Sequence, residues 1–350
     1  MKKIKVGING IGRIGKALCR KIVKDPDFEL IHINDINPDI GNIIYQLNYD
    51  TLYGNLAPED RFYLQDNSYL KLEGKEISYS TNNKINEVDG FKGLDIVIDS
   101  SGVKSNVLLA KKLITKKDVK KIIITHSPEE VDFTMVLGGN EEDYNPSKHH
   151  LISSSICDAT AIAPVLKFVN EKYGIENGYI TTLHPWLNYQ KLLDGPSSSW
   201  SVPGSIYHHY ALGRSSIGNM IPKPTSALDA TFKILPELNN KIGSFSYRTP
   251  TNIIGSADIT LNLKSDVNSV DEIIKDLEQI EKNQELKIIK NSFDPLVSLD
   301  YLKSDFSVHI DHRWSEVISG RLLKLVLWYD NEWGYTSKVI DQSKFILKNY

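Results

Sequence analysis

Short apolar runs alternate with amphipathic stretches through the first third of the chain, which predicts strands and helices in turn. Residues 4–9 read as a short buried strand, 13–25 as a helix and 28–34 as a second strand. Residues 94–99, 121–125 and 134–137 repeat the strand pattern. Strands that are apolar at nearly every position need cover on both faces, so this βαβ rhythm predicts a parallel sheet between helical layers. After residue 157 the texture changes. Residues 161–173 read as a helix, and 256–263, 307–311 and 322–328 alternate as an antiparallel sheet with one packed face does. Residues 271–282 and 332–348 have the period of amphipathic helices. Ahead of them, 195–224 is rich in Ser, Gly, Pro and aromatics and has no period. So long a run inside a compact domain is functional or lies against another subunit.

A length of 350 residues predicts two domains, each with its own core. The net charge of −3 gives no electrostatic reason to expect nucleic acid or an anionic membrane as partner. The paired lysines 111–112 and 116–117 are interrupted by apolar residues, as on a solvated helix face. Two cysteines supply neither a disulfide framework nor a zinc site, and no residues have zinc spacing, so no metal is expected. The basic start Met1-Lys2-Lys3 leads into no signal-peptide core, and no apolar run has the length of a bilayer span. A cytoplasmic protein is the expectation.

Two places carry chemistry. Gly10-x-Gly12-x-x-Gly15 stands between the first strand and the first helix. Glycines there permit a tight turn and let the backbone approach a pyrophosphate at the helix N-terminus. Asp35 ends the second strand about 20 residues beyond the last glycine, where a carboxylate accepts from an adenosine ribose and repels a 2′-phosphate, which favours NAD. The second place is Cys157, between a strand-like stretch and a helical run, with His184 at the end of the strand-like 179–183. A thiol at a helix start is favoured as thiolate, and an imidazole brought to it completes the pairing that nucleophilic cysteine requires. A buried structural cysteine beside an unrelated histidine is the other reading of the same two residues.

With these motifs in hand, the chain resembles the glyceraldehyde-3-phosphate dehydrogenase family nearly end to end. The resemblance rests on 5–15, Ile33-Asn34-Asp35, Ser100-Ser101-Gly102-Val103, Thr181-Thr182-Leu183-His184, Asp194-Gly195-Pro196-Ser197 and Trp328-Tyr329-Asp330-Asn331-Glu332-Trp333-Gly334-Tyr335. It implies an α/β Rossmann domain over 1–155, with the helix 332–350 packing back on it, and an α+β catalytic domain over 156–331 containing an antiparallel sheet. It further implies oxidation of a phosphorylated aldehyde with NAD, through a thioester on Cys157 with His184 as base. Asn9, Gly10, Gly12, Arg13, Ile14, Gly15 and Asp35 would hold the cofactor, together with Ser100, Gly102 and Thr125. Asn331 would meet the nicotinamide carboxamide, although a helix N-cap is an equal use for it. Tyr335 would pack near the ring, or in the core. Arg248 would bind the substrate phosphate, with Tyr189 in the turn after the histidine. Thr225 and Ser226 stand at the attacking-phosphate site, and Arg214 is a candidate for the same pocket. His208 and His209 fit packing or an interface. The loop from Gly195 resembles an inter-subunit loop, which implies a homotetramer.

The chain also departs from the family. Around the nucleophile it reads Ser153-Ser154-Ser155-Ile156-Cys157-Asp158-Ala159-Thr160 where the family has Ser-Asn-Ala-Ser-Cys-Thr-Thr-Asn. Ile156 removes a hydroxyl from the phosphate site, and Asp158 sets a carboxylate beside the thiol, opposing thiolate. Leu187 replaces a donor in the turn after His184, where Asn188 and Tyr189 remain donors. Two alternatives follow: a specialised or erythrose-4-phosphate-type dehydrogenase that releases its acid by hydrolysis, and a non-catalytic NAD-binding homologue.

Overall fold

In the computed structural model, which describes residues 3–66, 69–72, 74–198 and 208–348, the chain divides into two units. The first takes the residues up to Thr134, Tyr144–Ser154 and those from Val339 onward; the second takes Met135–Asp143 and Ser155–Lys338.

The first unit carries β1 (Ile4–Asn9), β2 (Phe28–Asn34), β3 (Tyr63–Asp66), β4 (Tyr69–Leu72), β5 (Lys75–Ser80), β6 (Ile96–Asp99), β7 (Lys121–Ile124), β8 (Phe133–Thr134) and β9 (Leu151–Ser153). Among the described residues they form one sheet in the order β3-β4-β5-β2-β1-β6-β7-β9-β8. All its pairs are parallel except β3 with β4 and β4 with β5. The chain winds outward from β1 in both directions, so the strand order reverses between β1 and β6. In open parallel sheets that reversal opens a crevice beyond the strand ends, where ligands bind. The helices α1 (Arg13–Ile22), α2 (Ile40–Asn48) and α3 (Lys104–Lys117) are the crossovers. Helix α1 ends three residues before the expected position, because Pro26 disfavours helical backbone at Asp25. The core is set by residues such as Phe91, Val97, Val107, Ile122 and Leu151, all fully buried.

The second unit carries β10 (Ile175–Pro185), β11 (Ile221–Lys223), β12 (Ile242–Thr249), β13 (Gly255–Leu263), β14 (Ile289–Ser292), β15 (Val308–Asp311), β16 (Glu316–Ile318) and β17 (Leu322–Tyr329). Helices α4 (Cys157–Tyr173), α5 (Ala227–Phe232) and α6 (Val270–Asn283) also lie in it, and α7 (Trp333–Lys348) begins there. The sheet is mixed rather than purely antiparallel. The central pairs β10/β13 and β13/β17 are antiparallel, while β10/β12 and β14/β15 are parallel. The long connection from Pro185 to Ile242 is what permits parallel pairing there. Strand β17 alternates strictly, burying Leu323, Leu325, Leu327 and Tyr329. Helix α4 packs on β10, β13, β15 and β17 with Ala161, Ile162, Val165, Leu166 and Val169 fully buried.

Residues 134–137 do not extend as a strand: β8 stops at Thr134. The Asn140 side chain accepts from the Val136 amide (3.0 Å) and Gly139 N–H donates to the Val136 carbonyl (2.9 Å), which closes a turn instead. Of the long loop 195–224, residues 199–207 lie outside the described residues, as do the last two residues of the expected helix 332–350. No helix among the described residues is long and apolar enough to cross a membrane.

Candidate active site

Cys157 is the first residue of α4. Ile156 occupies the N-cap in extended conformation (φ −128°) and offers no side-chain cap. Before it Ser155 takes φ +61°, in the left-handed region, and the Tyr335 hydroxyl donates to the Ser155 carbonyl at 3.1 Å. The peptide entering the nucleophile is therefore held from the start of α7.

His184 stands on β10, with Nε2 3.5 Å from Cys157 Sγ and Nδ1 2.8 Å from the Pro185 carbonyl oxygen. A carbonyl only accepts, so Nδ1 carries the ring proton and Nε2 presents its lone pair to the sulfur. Burial first, and Arg248 second, push His184 down to about 4, so the ring is neutral at ordinary pH. The thiol moves the other way. Burial, then the Asp158 carboxylate, push Cys157 well above the ordinary thiol range. Arg248 and the amides of Asp158 and Cys157 oppose that rise without cancelling it. Cys157 is half-buried, and the atoms enclosing its sulfur and the adjacent carboxylate both disfavour the thiolate. The resting pair is a neutral thiol facing a neutral imidazole, not the thiolate expected from the helix start alone.

Asp158 is buried and its Oδ1 accepts from the Tyr329 hydroxyl at 2.5 Å. The Tyr329 ring fills the space over Gly255, where a Cβ would sit 2.5 Å from it. The donor atoms of Cys157, Asp158 and His184 lie within 4.8 Å of one another. Because the Asp158 charge raises the thiol, Asp158→Asn is expected to shift the iodoacetamide alkylation–pH curve of Cys157 to lower pH. An unmoved midpoint would show that the carboxylate charge does not reach the sulfur.

Strand register sets the cation beside this pair. His184 is the cross-strand partner of Arg248 on β12, and cross-strand partners share a face of the sheet. Arg248 is 7% exposed. Its guanidinium donates only at 3.4 Å, to the Pro185 carbonyl and the Tyr189 hydroxyl, and its Nε has no partner among the described residues. A buried guanidinium so poorly satisfied is suited to an anion. Thr225 Oγ1 accepts from the Ala227 amide (3.1 Å), and Ser226 is the N-cap of α5 without a side-chain bond. Arg214 is exposed and ion-paired with Asp194 at 2.7 Å. Asn331 does not cap α7. Its Oδ1 accepts from the Ile254 amide (3.0 Å), while Asp330 Oδ1 accepts from the amides of Glu332 and Trp333.

In the first unit, Gly10 has φ +89° and any Cβ there would meet the Ser101 backbone at 2.7 Å; one on Gly15 would stand 1.9 Å from the Gly10 carbonyl. Glycine is thus required at both. Gly12 is the N-cap of α1 and, having no side chain, caps none of the first-turn amides itself. Asp35 accepts from the Ile11 amide (2.6 Å), which ties the end of β2 to the glycine turn. Asn34, Asn9 and Asp99 form a ladder across three strands, with bonds of 2.7 and 2.8 Å. Ser100 Oγ donates to the Gly10 carbonyl (2.7 Å), Thr125 Oγ1 donates to the Asp99 carbonyl (3.2 Å), and Gly102 takes φ +67°. Arg13 pairs with Asp50 at 2.6 Å. An uncapped helix start under a glycine turn, with a carboxylate at the end of the neighbouring strand, fits a dinucleotide.

Sequence reasoning assigned no part to Tyr329 or Lys223. Tyr329 was detectable in principle, being the buried phase of the β17 alternation next to Asp330. Lys223, between two prolines, gave no local signal.

Family models and curated relatives both match this chain. The family model for the glyceraldehyde 3-phosphate dehydrogenase NAD binding domain matches residues 4–107, and that for the C-terminal domain matches 156–331. The cytosolic glyceraldehyde-3-phosphate dehydrogenase of Chlamydomonas reinhardtii is 34% identical over 351 residues, covering 99% of this chain and 97% of that protein. The Geobacillus stearothermophilus glyceraldehyde-3-phosphate dehydrogenase is 34% identical over 98% of each chain. Glyceraldehyde-3-phosphate dehydrogenase 3 of Saccharomyces cerevisiae is 33% identical over 99% of each.

Proposed function

Because this chain belongs to the glyceraldehyde-3-phosphate dehydrogenase family, we propose that Cys157 is the nucleophile and His184 the base of its aldehyde oxidation. The protein is an NAD-dependent enzyme of that kind. The observation that carries the assignment is the 3.5 Å contact from Sγ to an Nε2 whose lone pair is fixed by the Nδ1–H bond to Pro185.

The steps follow from those atoms. As Sγ attacks the carbonyl carbon, its proton passes to Nε2 and the carbonyl π pair moves to oxygen; returning the proton there leaves a thiohemiacetal. NAD, held by the residues of the first unit named below, would supply the acceptor for the hydride of the thiohemiacetal carbon. His184 takes the hydroxyl proton as the carbon–oxygen double bond re-forms, leaving a thioester on Cys157. Attack by inorganic phosphate then forms a carbon–oxygen bond and breaks the carbon–sulfur bond, and the departing sulfur recovers its proton from the imidazolium. Since the imidazole is neutral at ordinary pH, it is ready to act as base.

The domain of 1–155 with helix 332–350 is assigned to NAD and that of 156–331 to catalysis. Asn9, Gly10, Gly12, Arg13, Ile14, Gly15, Asp35, Ser100, Gly102 and Thr125 are the proposed NAD ligands, with Asn331 and Tyr335 toward the nicotinamide. Arg248, Tyr189, Thr225 and Ser226 are assigned to phosphate. The buried and poorly satisfied guanidinium of Arg248 supports a phosphorylated substrate. A homotetramer, implied by the family resemblance, and a cytosolic location, as in the Chlamydomonas relative, belong to the same proposal.

The test is NADH formation from glyceraldehyde 3-phosphate, with and without added inorganic phosphate. The expected result is turnover that requires phosphate. No NADH from this or any other phosphorylated aldehyde would reject the reading, whereas turnover indifferent to phosphate would assign thioester release to water, the reading that Ile156 motivates.

A further inference from the structure

We propose that Lys223 is a second cation of the subsite that grips a phosphate oxyanion beside Cys157, acting together with Arg248. The proposal rests on the assignment of Cys157 and Arg248 above and adds to it a residue that determines specificity.

Strand pairing places Lys223. On β11 and β12, Ile221 lies opposite Arg248 and Lys223 opposite Ser246. Residues two apart on a strand share a face with each other and with their cross-strand partners. Lys223 therefore stands on the face that carries Arg248 and His184. That face is closed: Thr182, His184, Ser246 and Arg248 are all buried. Lys223 is half-buried, and among the described residues neither it nor Arg248 has a carboxylate within ion-pair distance. Lys223 also makes no hydrogen bond among them, and Arg248 leaves Nε unsatisfied.

Two cations are thus gathered on one enclosed face without a counter-charge in contact. Burial, and then Arg248, push Lys223 down to about 8, with Asp158 acting the other way. Asp158 acts on Lys223 without an ion pair to it or to Arg248 among the described residues, and its Oδ1 accepts from Tyr329. A bound dianion supplies the missing charge. The ammonium is a point charge with three rotatable donors, which suits a tetrahedral phosphate as well as the guanidinium fork suits one of its edges. The turn after His184 has Leu187, whose side chain cannot donate, so a donor on β11, beyond β12 in the same sheet, makes good a contact that the turn lacks. Two residues further on, Thr225 accepts from the Ala227 amide, leaving its hydroxyl hydrogen to donate to the same anion.

The oxyanion is either the phosphate of the substrate or the inorganic phosphate that attacks the thioester, and the experiment separates them. Wild type, Lys223→Gln and Lys223→Arg are alkylated at Cys157 with iodoacetamide over a range of inorganic phosphate concentrations, each variant against its own unprotected rate. This readout requires no turnover. Lys223→Gln is expected to raise the half-protecting phosphate concentration about tenfold, the loss of one charge-assisted hydrogen bond, and Lys223→Arg to restore most of it.

Steady-state rates then assign the source. A raised KM for glyceraldehyde 3-phosphate, with discrimination against unphosphorylated glyceraldehyde reduced, identifies the substrate phosphate. A raised KM for inorganic phosphate alone identifies the attacking one. A merely structural defect lowers activity on both aldehydes alike and leaves protection unchanged, and that result overturns the proposal. So does a wild type whose thiol phosphate does not protect. Wild-type enzyme that binds phosphate but forms no NADH would instead count against the proposed function and leave the Lys223 result standing.

Discussion

Cys157→Ser is expected to lower kcat for aldehyde oxidation by at least about 10³-fold while NAD binding persists. The size of the loss comes from the partner as much as from the sulfur. His184 is pushed down to about 4 and is therefore a weak base. It can take a proton from a thiol that is bonding to an electrophile, but a serine hydroxyl is far less acidic and leaves attack without assistance. An oxygen ester would also be a poorer acyl donor than the thioester. NADH formation measures the loss, and NAD titration by protein fluorescence verifies that the cofactor still binds. Retention of more than about a tenth of wild-type kcat would mean that hydride leaves an aldehyde that is not bound to this side chain.

His184→Asn is expected to lower kcat by about 10²- to 10⁴-fold, and the pH profile identifies the cause. In the wild type the imidazole is neutral above about pH 4, so the base is present throughout the neutral range and the rate there is nearly flat. Without it, the thiol must ionise by itself. Burial and Asp158 hold that ionisation well above neutrality, so the rate of the variant rises about tenfold per pH unit through pH 6–8. Asparagine can still donate to the Pro185 carbonyl, which keeps the strand end in place. A flat profile in the variant would reassign proton removal to another group.

Much of this site is written locally in the chain. The glycine turn is legible because Gly10 and Gly15 are required by backbone that lies within a few residues or in the adjacent strand, and Cys157 because strand-then-helix patterning places it at a helix start. What the sequence conceals is set by register and enclosure. Asn331 accepts an amide from Ile254, 77 positions away, and that partner cannot be read from its neighbours. Arg214 is flanked by loop sequence that gives no indication of Asp194 as its partner. The protonation of Cys157 inverts the local expectation, since the helix start favours thiolate while enclosure and Asp158 oppose it more strongly. Lys223 acquires its meaning only when β11 is laid against β12. The parallel pairing of β10 with β12 was hidden in the same way, because alternation marks a half-buried strand without giving its direction.

The pairing of a protonated sulfur with a neutral imidazole also bears on how the enzyme survives oxidants. Peroxide attacks thiolate, and sulfenic acid forms slowly where the proton is retained. With Asp158 beside it and Tyr329 holding that carboxylate in place, Cys157 is expected to keep its proton until an electrophilic carbonyl arrives. The carboxylate at position 158 is thus expected to slow peroxide inactivation of the idle site along with its alkylation, and inactivation rates of Asp158→Asn against wild type measure it.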